Sequence, residues 1–275
     1  MLFVIRVGEM FLKSPHVHNQ MEKQLLHNVK RSLKLKKIKA NVRRARGRLW
    51  LECTSSNAKK VRETLKHIFG IYSFSSVTVV PVDMKAIEKE ALSQAKRWKG
   101  SFAVDVKRIN KAFPCKSQDV ECIIGKAIAG KRLKVNLRNP DNILNIDIDN
   151  KCYIYSSTER GPGGLPLHYG AIVAELKSDK DALAAWLIMH RGFLPYFPKA
   201  SKSVLKKLER WFNSLQPRLV VNHPESIKAV LTSETDIRKL AKLKKESIRK
   251  KKMLLTPLVG FSDEEIKRRF SDIFS

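Results

Sequence analysis

The order of apolar patterns in the first eighty residues is the feature that most restricts the fold. Leu2 to Val7 is almost wholly apolar, which is typical of a buried strand. Asn19 to Leu35 has apolar residues about every four positions and predicts a helix with Glu22 and Lys23 facing solvent. The predicted elements that follow are a strand at Ile38–Arg44, a strand at Arg48–Glu52, a helix from Asn57 to Gly70 and a strand at Ile71–Val80. This β-α-β-β-α-β order is the ferredoxin-like plan.

A second α+β unit is predicted for residues 81–160. Its helices and strands follow from the same periodicities, and a Gly-Pro-rich stretch, Gly161–Pro166, closes it and predicts a hinge. The predicted helices are Met84–Trp98 and Gln118–Ala129, the second with Val120, Ile123, Ile124 and Ala127 inward. The predicted strands are Phe102–Val106, Val135–Leu137, Ile143–Ile148 and Cys152–Tyr155.

The last third, residues 161–275, alternates strand and helix patterns, which predicts a small doubly wound parallel sheet. Predicted strands are Ala171–Leu176, Leu219–Val221, Ile227–Leu231 and Leu254–Leu255. Predicted helices are Ala182–His190, Val204–Leu215, Ile237–Leu243 and a last one starting at Asp263. The expected organisation is therefore α+β followed by α/β, with domains at 1–80, 81–160 and 161–275.

Charge indicates the class of partner. The chain has 55 Lys and Arg against 26 Asp and Glu, a net charge of +29. Such an excess favours binding of an anionic partner, and nucleic acid is the first candidate ahead of a membrane surface. A thermophile's charge-rich surface would need acidic residues to rise with the basic ones, and here they do not.

The most one-sided charge lies in residues 1–80, with 17 basic and 4 acidic side chains. The segment Arg43-Arg44-Ala45-Arg46-Gly47-Arg48 has the pattern of a turn between two strands. Arginines on a turn project outward, and their guanidinium groups suit phosphate by bidentate geometry. We therefore expect Arg43, Arg44 and Arg46 to contact RNA phosphates.

Several other classes of protein are not favoured. No apolar run approaches the ~20 residues of a membrane-spanning helix. The four cysteines include no Cys-x-x-Cys pair, so a reduced, cytoplasmic chain without a zinc or redox site is expected. Cys115 is interpreted as a loop residue and Cys122 as a core residue. His16 and His18 beside Pro15 are interpreted as a surface loop, with no metal site.

Three segments resemble a known family. The first is Val7-Gly8-Glu9-Met10-Phe11-Leu12-Lys13-Ser14, which is followed by a basic helix. The second runs from Val106-Lys107-Arg108-Ile109-Asn110-Lys111-Ala112-Phe113-Pro114-Cys115-Lys116-Ser117 through Val135-Asn136-Leu137-Arg138-Asn139-Pro140 to Gly161–Leu167. The third is Met189-His190-Arg191-Gly192 together with Thr256–Ile266. In this order they resemble the ThiI-type tRNA 4-thiouridine synthetases. The resemblance extends over nearly the whole chain, and the second segment is the most specific.

The resemblance implies a ferredoxin-like domain, a THUMP RNA-binding domain and a PP-loop pyrophosphatase domain. It also implies that the first two domains bind the acceptor stem and CCA end of tRNA, and that the protein forms a homodimer. On the THUMP side, phosphate contacts are expected from Lys107, Arg108, Lys111, Lys116 and Arg138. Such contacts set affinity and register rather than sequence preference.

The third domain departs from the family at its nucleotide loop. PP-loop enzymes have Ser-Gly-Gly-x-Asp-Ser between the first strand and helix, where glycines let backbone N–H groups surround the pyrophosphate. Here the position holds Leu176 and then Lys177, Ser178, Asp179, Lys180 and Asp181, with neither glycine. Carboxylates at a helix N-terminus cap the helix but repel a triphosphate. We expect Asp179 and Asp181 to be capping residues of a degenerate loop.

The family resemblance implies a cysteine in the pyrophosphatase domain that carries sulfur. This chain lacks such a residue, because no cysteine follows Cys152. These losses predict a pseudoenzyme: a tRNA-binding adaptor with no catalytic residues and no cofactor, which presents tRNA to a separate modifying enzyme. Two alternatives stay open. One is an active tRNA sulfurtransferase with a divergent nucleotide site, and the other is a ribosomal-RNA-binding module.

Overall fold

A computed structural model describes residues 1–8, 14–45, 47–130, 133–212 and 227–274. The helices within these ranges are α1 (Pro15–Leu35), α2 (Ala58–Leu65), α3 (Met84–Ala95), α4 (Ser117–Ala129), α5 (Asp179–His190), α6 (Lys202–Leu208), α7 (Ile237–Arg249) and α8 (Asp263–Phe274). The strands are β1 (Leu2–Val7), β2 (Ala40–Ala45), β3 (Arg48–Cys53), β4 (Ile71–Val80), β5 (Ser101–Arg108), β6 (Lys134–Val135), β7 (Asn142–Ile148), β8 (Cys152–Tyr155), β9 (Glu159–Arg160), β10 (Tyr169–Leu176), β11 (Phe193–Ala200), β12 (Ala229–Leu231) and β13 (Met253–Leu255).

The strands form two sheets. One has nine strands in the order β2-β3-β1-β4-β8-β7-β5-β6, with β9 paired to β4, and the other has the order β11-β10-β12-β13. The chain divides into two compact units: Met1–Ile5, Trp50–Ser55 and Phe74–Glu159 form the first, and Arg6–Leu49, Ser56–Ser73 and Arg160–Ser275 form the second. These units cut across the predicted domains, so the boundaries at 80/81 and 160/161 remain predictions.

The N-terminal elements follow the predicted β-α-β-β-α-β order, and the ferredoxin-like class is confirmed. Helix α1 begins at Pro15 rather than Asn19, with Ser14 as its N-cap. Proline is favoured in the first helical turn, where its missing N–H has no helical partner. The prediction that Glu22 faces solvent is wrong, because this residue is only 5% exposed.

In the first unit, helices α3 and α4 pack with strands β5, β7 and β8 around one apolar core. Strand β5 pairs in parallel with β7 over Phe102–Arg108 and with β6 at its first two residues. On α4 the buried positions are Val120, Ile124 and Ile128, while Ile123 is 43% exposed. The prediction that Ile123 faces the core is therefore wrong, and the 120-124-128 spacing identifies the inward face.

The predicted parallel sheet of the last third is confirmed. Strand β10 pairs in parallel with both β11 and β12, and β12 pairs in parallel with β13. After β10, the chain adds β11 on one side of this strand, and it then adds β12 and β13 on the other side. This reversal places a topological switch point at the carboxyl ends of β10 and β12, where open α/β sheets usually bind ligands.

Strand β11 has no counterpart among the predicted elements. It contains Pro195 and Pro198, which remove backbone donors and argue against a strand in sequence alone. In the sheet, β11 is at the edge of the described strands and pairs with β10 only, so its prolines are tolerated. The predicted strand Leu219–Val221 and the end of the predicted helix Val204–Leu215 lie outside the described residues.

The Gly161–Pro166 stretch is not a free hinge. Gly161 N–H donates to Tyr72 O (3.0 Å), Gly163 N–H to Ile71 O (2.8 Å) and Leu165 N–H to His190 O (2.9 Å). We call residues 161–168 the strap, because hydrogen bonds hold both its sides within the second unit. The hinge prediction is wrong because the glycines serve close packing rather than free rotation.

An aromatic cluster connects the turn after helix α2 with the core of the parallel sheet. Phe69 is 1% exposed, stacks on Trp211 at a centroid distance of 5.4 Å and meets Trp186 edge-on at 5.5 Å. His190 packs edge-on against Phe69 and stacks on Trp186. Within the second unit, a residue from the N-terminal region therefore completes the core of residues 160–275.

Candidate nucleic-acid interface

Four of the predicted RNA-binding residues meet at the carboxyl end of β5. Lys107 and Arg108 end this strand, Lys111 lies in the loop after it, and Lys116 precedes α4. The Val106 N–H donates to Glu121 Oε1 (3.0 Å), which holds the first turns of α4 beside this end of the strand. We call Lys107, Arg108, Lys111 and Lys116 the β5 patch.

Arg108 organises the loop within this patch. Its Nη1 donates to the carbonyl oxygens of Phe113 and Cys115, both at 3.1 Å. Buried Phe113 anchors the same loop in the core. A guanidinium group fixed by two carbonyls retains further N–H donors on its other nitrogens, so Arg108 can position the loop and still face a phosphate.

The three lysines of the β5 patch are exposed. Lys107 Nζ lies 3.3 Å from Asp105 Oδ2, with both side chains about half exposed. An ion pair of this kind contributes little free energy and is easily exchanged for a phosphate contact. At the start of α4, Asp119 Oδ2 accepts the N–H of Lys116 (3.0 Å), which fixes its backbone and leaves the ammonium group exposed.

Arg138 lies in the turn after β6, outside the segment that forms the β5 patch. Strand β6 pairs in parallel with Ser101 and Phe102, the first two residues of β5. Asn136 Oδ1 accepts the N–H groups of Arg138 and Asn139, both at 3.1 Å. The sequence did not identify Asn136 as the residue that shapes this turn, although asparagine two positions before an exposed arginine is a turn signal.

The N-terminal arginines differ from one another. Arg43 is exposed on β2. Arg44 Nη1 donates to Glu22 Oε2 (3.1 Å) and to Asn19 Oδ1, so it pairs with helix α1 rather than projecting freely. The Glu22 side chain is 7% exposed, and a carboxylate this buried needs a positive partner. Arg46 lies outside the described residues.

The segment predicted to be a degenerate nucleotide loop, residues 177–181, lies at the junction of strand β10 and helix α5. Strand β10 ends at Leu176 and α5 begins at Asp179, with Ser178 as N-cap. Asp181 Oδ2 accepts the N–H groups of Lys177 and Ser178, both at 2.9 Å, and the hydroxyl of Ser178 at 3.0 Å. The carboxylate of Asp181 therefore occupies the donors that an anion-binding loop would direct toward phosphate.

The neighbouring side chains at the switch point also pair among themselves. The Ser233 hydroxyl after β12 donates to Asp181 Oδ1, and Lys180 Nζ donates to Thr235 Oγ1 at 3.0 Å. Asp179 Oδ1 accepts from Lys207 Nζ at 2.6 Å. Asp181 completes a capping box with Ser178, while Asp179 forms an exposed ion pair in the first turn.

The described cysteines and histidines do not gather into a reactive site. Burial raises the pKa of the Cys152 thiol to about 12, with nearby Asp147 adding to the effect, and burial also raises the pKa of Cys53. Cys122 is exposed, which corrects the prediction that it lies in the core. His16 and His18 lie in the first turns of α1 rather than in a loop. Among the residues that the structure describes, no group of three His, Cys, Asp or Glu side chains could hold a metal ion.

Two family models match the chain. The ThiI ferredoxin-like domain matches residues 2–75, and the THUMP domain matches residues 82–157. The fold and the matches define a THUMP-domain protein with a ferredoxin-like N-terminal domain. The chain belongs to the proteins that carry a ThiI-type ferredoxin-like domain followed by a THUMP domain, as the first two sequence segments indicated.

Curated relatives support this membership. A probable tRNA sulfurtransferase of Thermoanaerobacter sp. (strain X514) is 34% identical over 197 residues, which are 70% of this chain and 51% of that protein. One of Methanosarcina mazei is 31% identical over 240 residues, with shares of 78% and 58%. The chain thus spans about half the length of the curated relatives it matches.

Solved structures share the fold over nearly the whole chain. PH1313 from Pyrococcus horikoshii Ot3 has a TM-score of 0.82 at 24% identity and covers 98% of both chains. A 4-thiouridine synthetase in complex with RNA and ATP has a TM-score of 0.78 at 20% identity, covering 99% of this chain and 84% of that one. In the described part of the chain, no helix is long and apolar enough to cross a membrane.

Proposed function

We propose that this protein binds tRNA at the acceptor stem and CCA end and acts as a non-catalytic adaptor in tRNA modification. The observation that supports the non-catalytic part of this proposal is the hydrogen bonding of the loop at residues 177–181. The Asp181 carboxylate accepts the N–H groups of Lys177 and Ser178, and it places negative charge where a triphosphate would have to enter. A nucleotide would need to displace this carboxylate and overcome its repulsion.

The RNA-binding part of the proposal rests on charge and placement. The β5 patch brings three exposed lysines and Arg108 together at one end of the THUMP core. The net charge of +29 favours an anionic polymer. The curated relatives are named for tRNA sulfur transfer, and a set of phosphate contacts suits an RNA helix that is recognised by its shape.

The adaptor role implies a partner that supplies the chemistry. A separate tRNA-modifying enzyme would take the tRNA that this protein holds, and a homodimer would present two such tRNAs. All four cysteines are free thiols, which supports a reducing, cytoplasmic location.

The first prediction tests tRNA binding with the full chain. Changing Lys107, Lys111 and Lys116 together to Gln should lower tRNA affinity strongly and reduce the slope of log K against log salt by about 2 to 3, because each lost phosphate contact removes about 0.7 to 0.9. Removal of the CCA tail from tRNA should weaken binding of the unchanged protein. Gel-shift titrations over a salt series measure both effects.

The matched control changes Lys250, Lys251 and Lys252, three lysines near the end of α7, to Gln. It removes the same charge outside the β5 patch, so it should leave the affinity nearly unchanged. Equal losses in the two triple variants would contradict the patch. Equal affinity for tailed and tailless tRNA would favour the ribosomal-RNA alternative instead.

The second prediction concerns nucleotide. Calorimetry with ATP and magnesium should detect no binding at physiological concentration, and tRNA should not stimulate pyrophosphate release. Asp181→Ala should lower the free energy of unfolding by about 1 kcal/mol through the lost capping box. Asp179→Ala is the control, because its exposed ion pair with Lys207 contributes only tenths of a kcal/mol. Micromolar ATP affinity of the unchanged protein would contradict the non-catalytic proposal and favour the sulfurtransferase alternative.

A further inference from the structure

We propose that the second unit has its own binding pocket for an RNA phosphate, between helix α1 and the strap. This assignment rests on the proposed function, and it adds a contact that lies outside the THUMP domain. A cavity of about 420 Å³ opens there, and its lining includes Lys23 and His27 of α1 and His168 of the strap. We call these three side chains the strap pocket.

The lining of the strap pocket has the chemistry of an anion site. Lys23 offers an ammonium group and His27 a ring N–H donor, and the imidazole of His168 lines the cavity from the strap. Among the described residues, the other polar side chains of the lining are the amides Gln20 and Gln24, and none is a carboxylate. A divalent metal ion is disfavoured by the lysine and by the lack of oxygen ligands with charge, whereas a phosphate group gains from every one of these donors.

The two walls of the pocket are fixed to each other. Asn28 Nδ2 and Gln24 Nε2, both on α1, donate to the carbonyl oxygen of Leu167 in the strap, at 3.2 and 3.4 Å. Gln24 Nε2 also bonds Asn28 Oδ1 at 2.9 Å. On the far side of the strap, the His168 N–H donates to Gly192 O at 2.9 Å. The pocket is therefore formed before any ligand arrives, which lowers the entropy cost of binding.

The RNA backbone is the phosphate source that the surroundings favour. Lys30, Arg31 and Lys34 continue the exposed basic surface along α1 from Lys23, so successive phosphates of a strand would find positive charge beyond the pocket. A free phosphate ion would use the pocket alone. Competition between the two sources separates these cases.

The test uses the full chain with single variants Lys23→Gln, His27→Gln and His168→Gln. Each should lower tRNA affinity about five- to tenfold, and Lys23→Gln should reduce the salt slope by about 0.7 to 0.9, the value for one phosphate contact. Lys59→Gln on α2 is the matched control, because Lys59 is also exposed and does not line the pocket. Circular dichroism melts confirm that all four variants stay folded.

A second readout follows the ring signals of His27 and His168 by NMR during titration with inorganic phosphate and then with tRNA. We expect millimolar phosphate to shift both signals and tRNA to displace it. Phosphate binding with unchanged tRNA affinity in the variants would mean an adventitious ion only and would overturn the proposal. If the unchanged protein binds tRNA and the variants match Lys59→Gln, the pocket is wrong while the proposed function stands. If the unchanged protein binds no tRNA, the proposed function itself fails.

Discussion

Replacing Gly164 with alanine should destabilise the protein by about 3 kcal/mol or more, among the largest effects of any single substitution. Gly164 has φ +69, and an alanine Cβ would lie 2.2 Å from the carbonyl oxygen of His190. The left-handed conformation alone costs about 1 to 2 kcal/mol in a residue with a Cβ. The clash adds to this cost, because the oxygen belongs to the backbone at the end of α5 and also accepts the Leu165 N–H.

Urea unfolding of the full chain measures this effect, with Gly125→Ala as the control. Gly125 lies inside α4, and an added Cβ there meets nothing within 4 Å. Alanine should therefore stabilise that helix by up to about 1 kcal/mol through its better helix propensity. If the Gly164→Ala protein is as stable as the unchanged one, the strap backbone can shift to accommodate the added Cβ, and the tight packing described for the strap is wrong.

The strap shows one limit of inference from sequence. A Gly-Pro-rich stretch between two predicted domains has the composition of a hinge. Composition indicates how freely the isolated backbone can rotate. The segments packed around a glycine determine whether that freedom allows motion or allows two backbones to approach closely. At Gly161 an alanine Cβ would lie 2.3 Å from Ile71 O, and no local pattern announces a partner ninety residues earlier in the chain.

Elements that depend on local patterns were predictable. The ferredoxin-like order, the parallel sheet and the strand-loop-helix turn at Leu176 to Asp181 all follow from periodicity and capping signals. Strand β11 was not predicted, because the edge position that tolerates Pro195 and Pro198 is a property of the sheet. The burial of Glu22 was also missed, because it depends on a contact with Arg44, which is distant in sequence.

The candidate site also has a part that the sequence predicts and a part that depends on the fold. Sequence placed Lys107, Arg108, Lys111 and Lys116 in one segment, and the structure keeps them at one end of β5. Arg138 was expected to contact phosphate as well, and it lies in the turn after β6, which pairs with the first two residues of β5. The strap pocket was not predicted at all, because His168 is about 140 residues from Lys23 and His27, and only the fold brings them to one cavity.

Phe69→Ala should lower the free energy of unfolding by about 3 to 5 kcal/mol, the usual cost of removing a buried phenylalanine. Its ring is 1% exposed and packs against Trp186, Trp211 and His190. Truncation would leave a cavity bounded by large aromatic rings that cannot close around it. Leu35→Ala is the control, because Leu35 is 55% exposed at the end of α1 and its truncation should change stability by no more than about 0.5 kcal/mol.

The same contacts predict how a truncated protein behaves. A fragment of residues 1–160 keeps the THUMP domain but loses Trp186, Trp211 and the strap, so Phe69 would face water and the Gly70 N–H would lose its bond to Gly163 O. We expect this fragment to melt well below the full chain and to bind the apolar dye ANS. A fragment as stable as the full chain, or a Phe69→Ala loss no larger than that of Leu35→Ala, would contradict the shared core. Residues 160–275 supply the aromatic rings that bury Phe69, so this part of the chain has a structural role that does not depend on nucleotide binding.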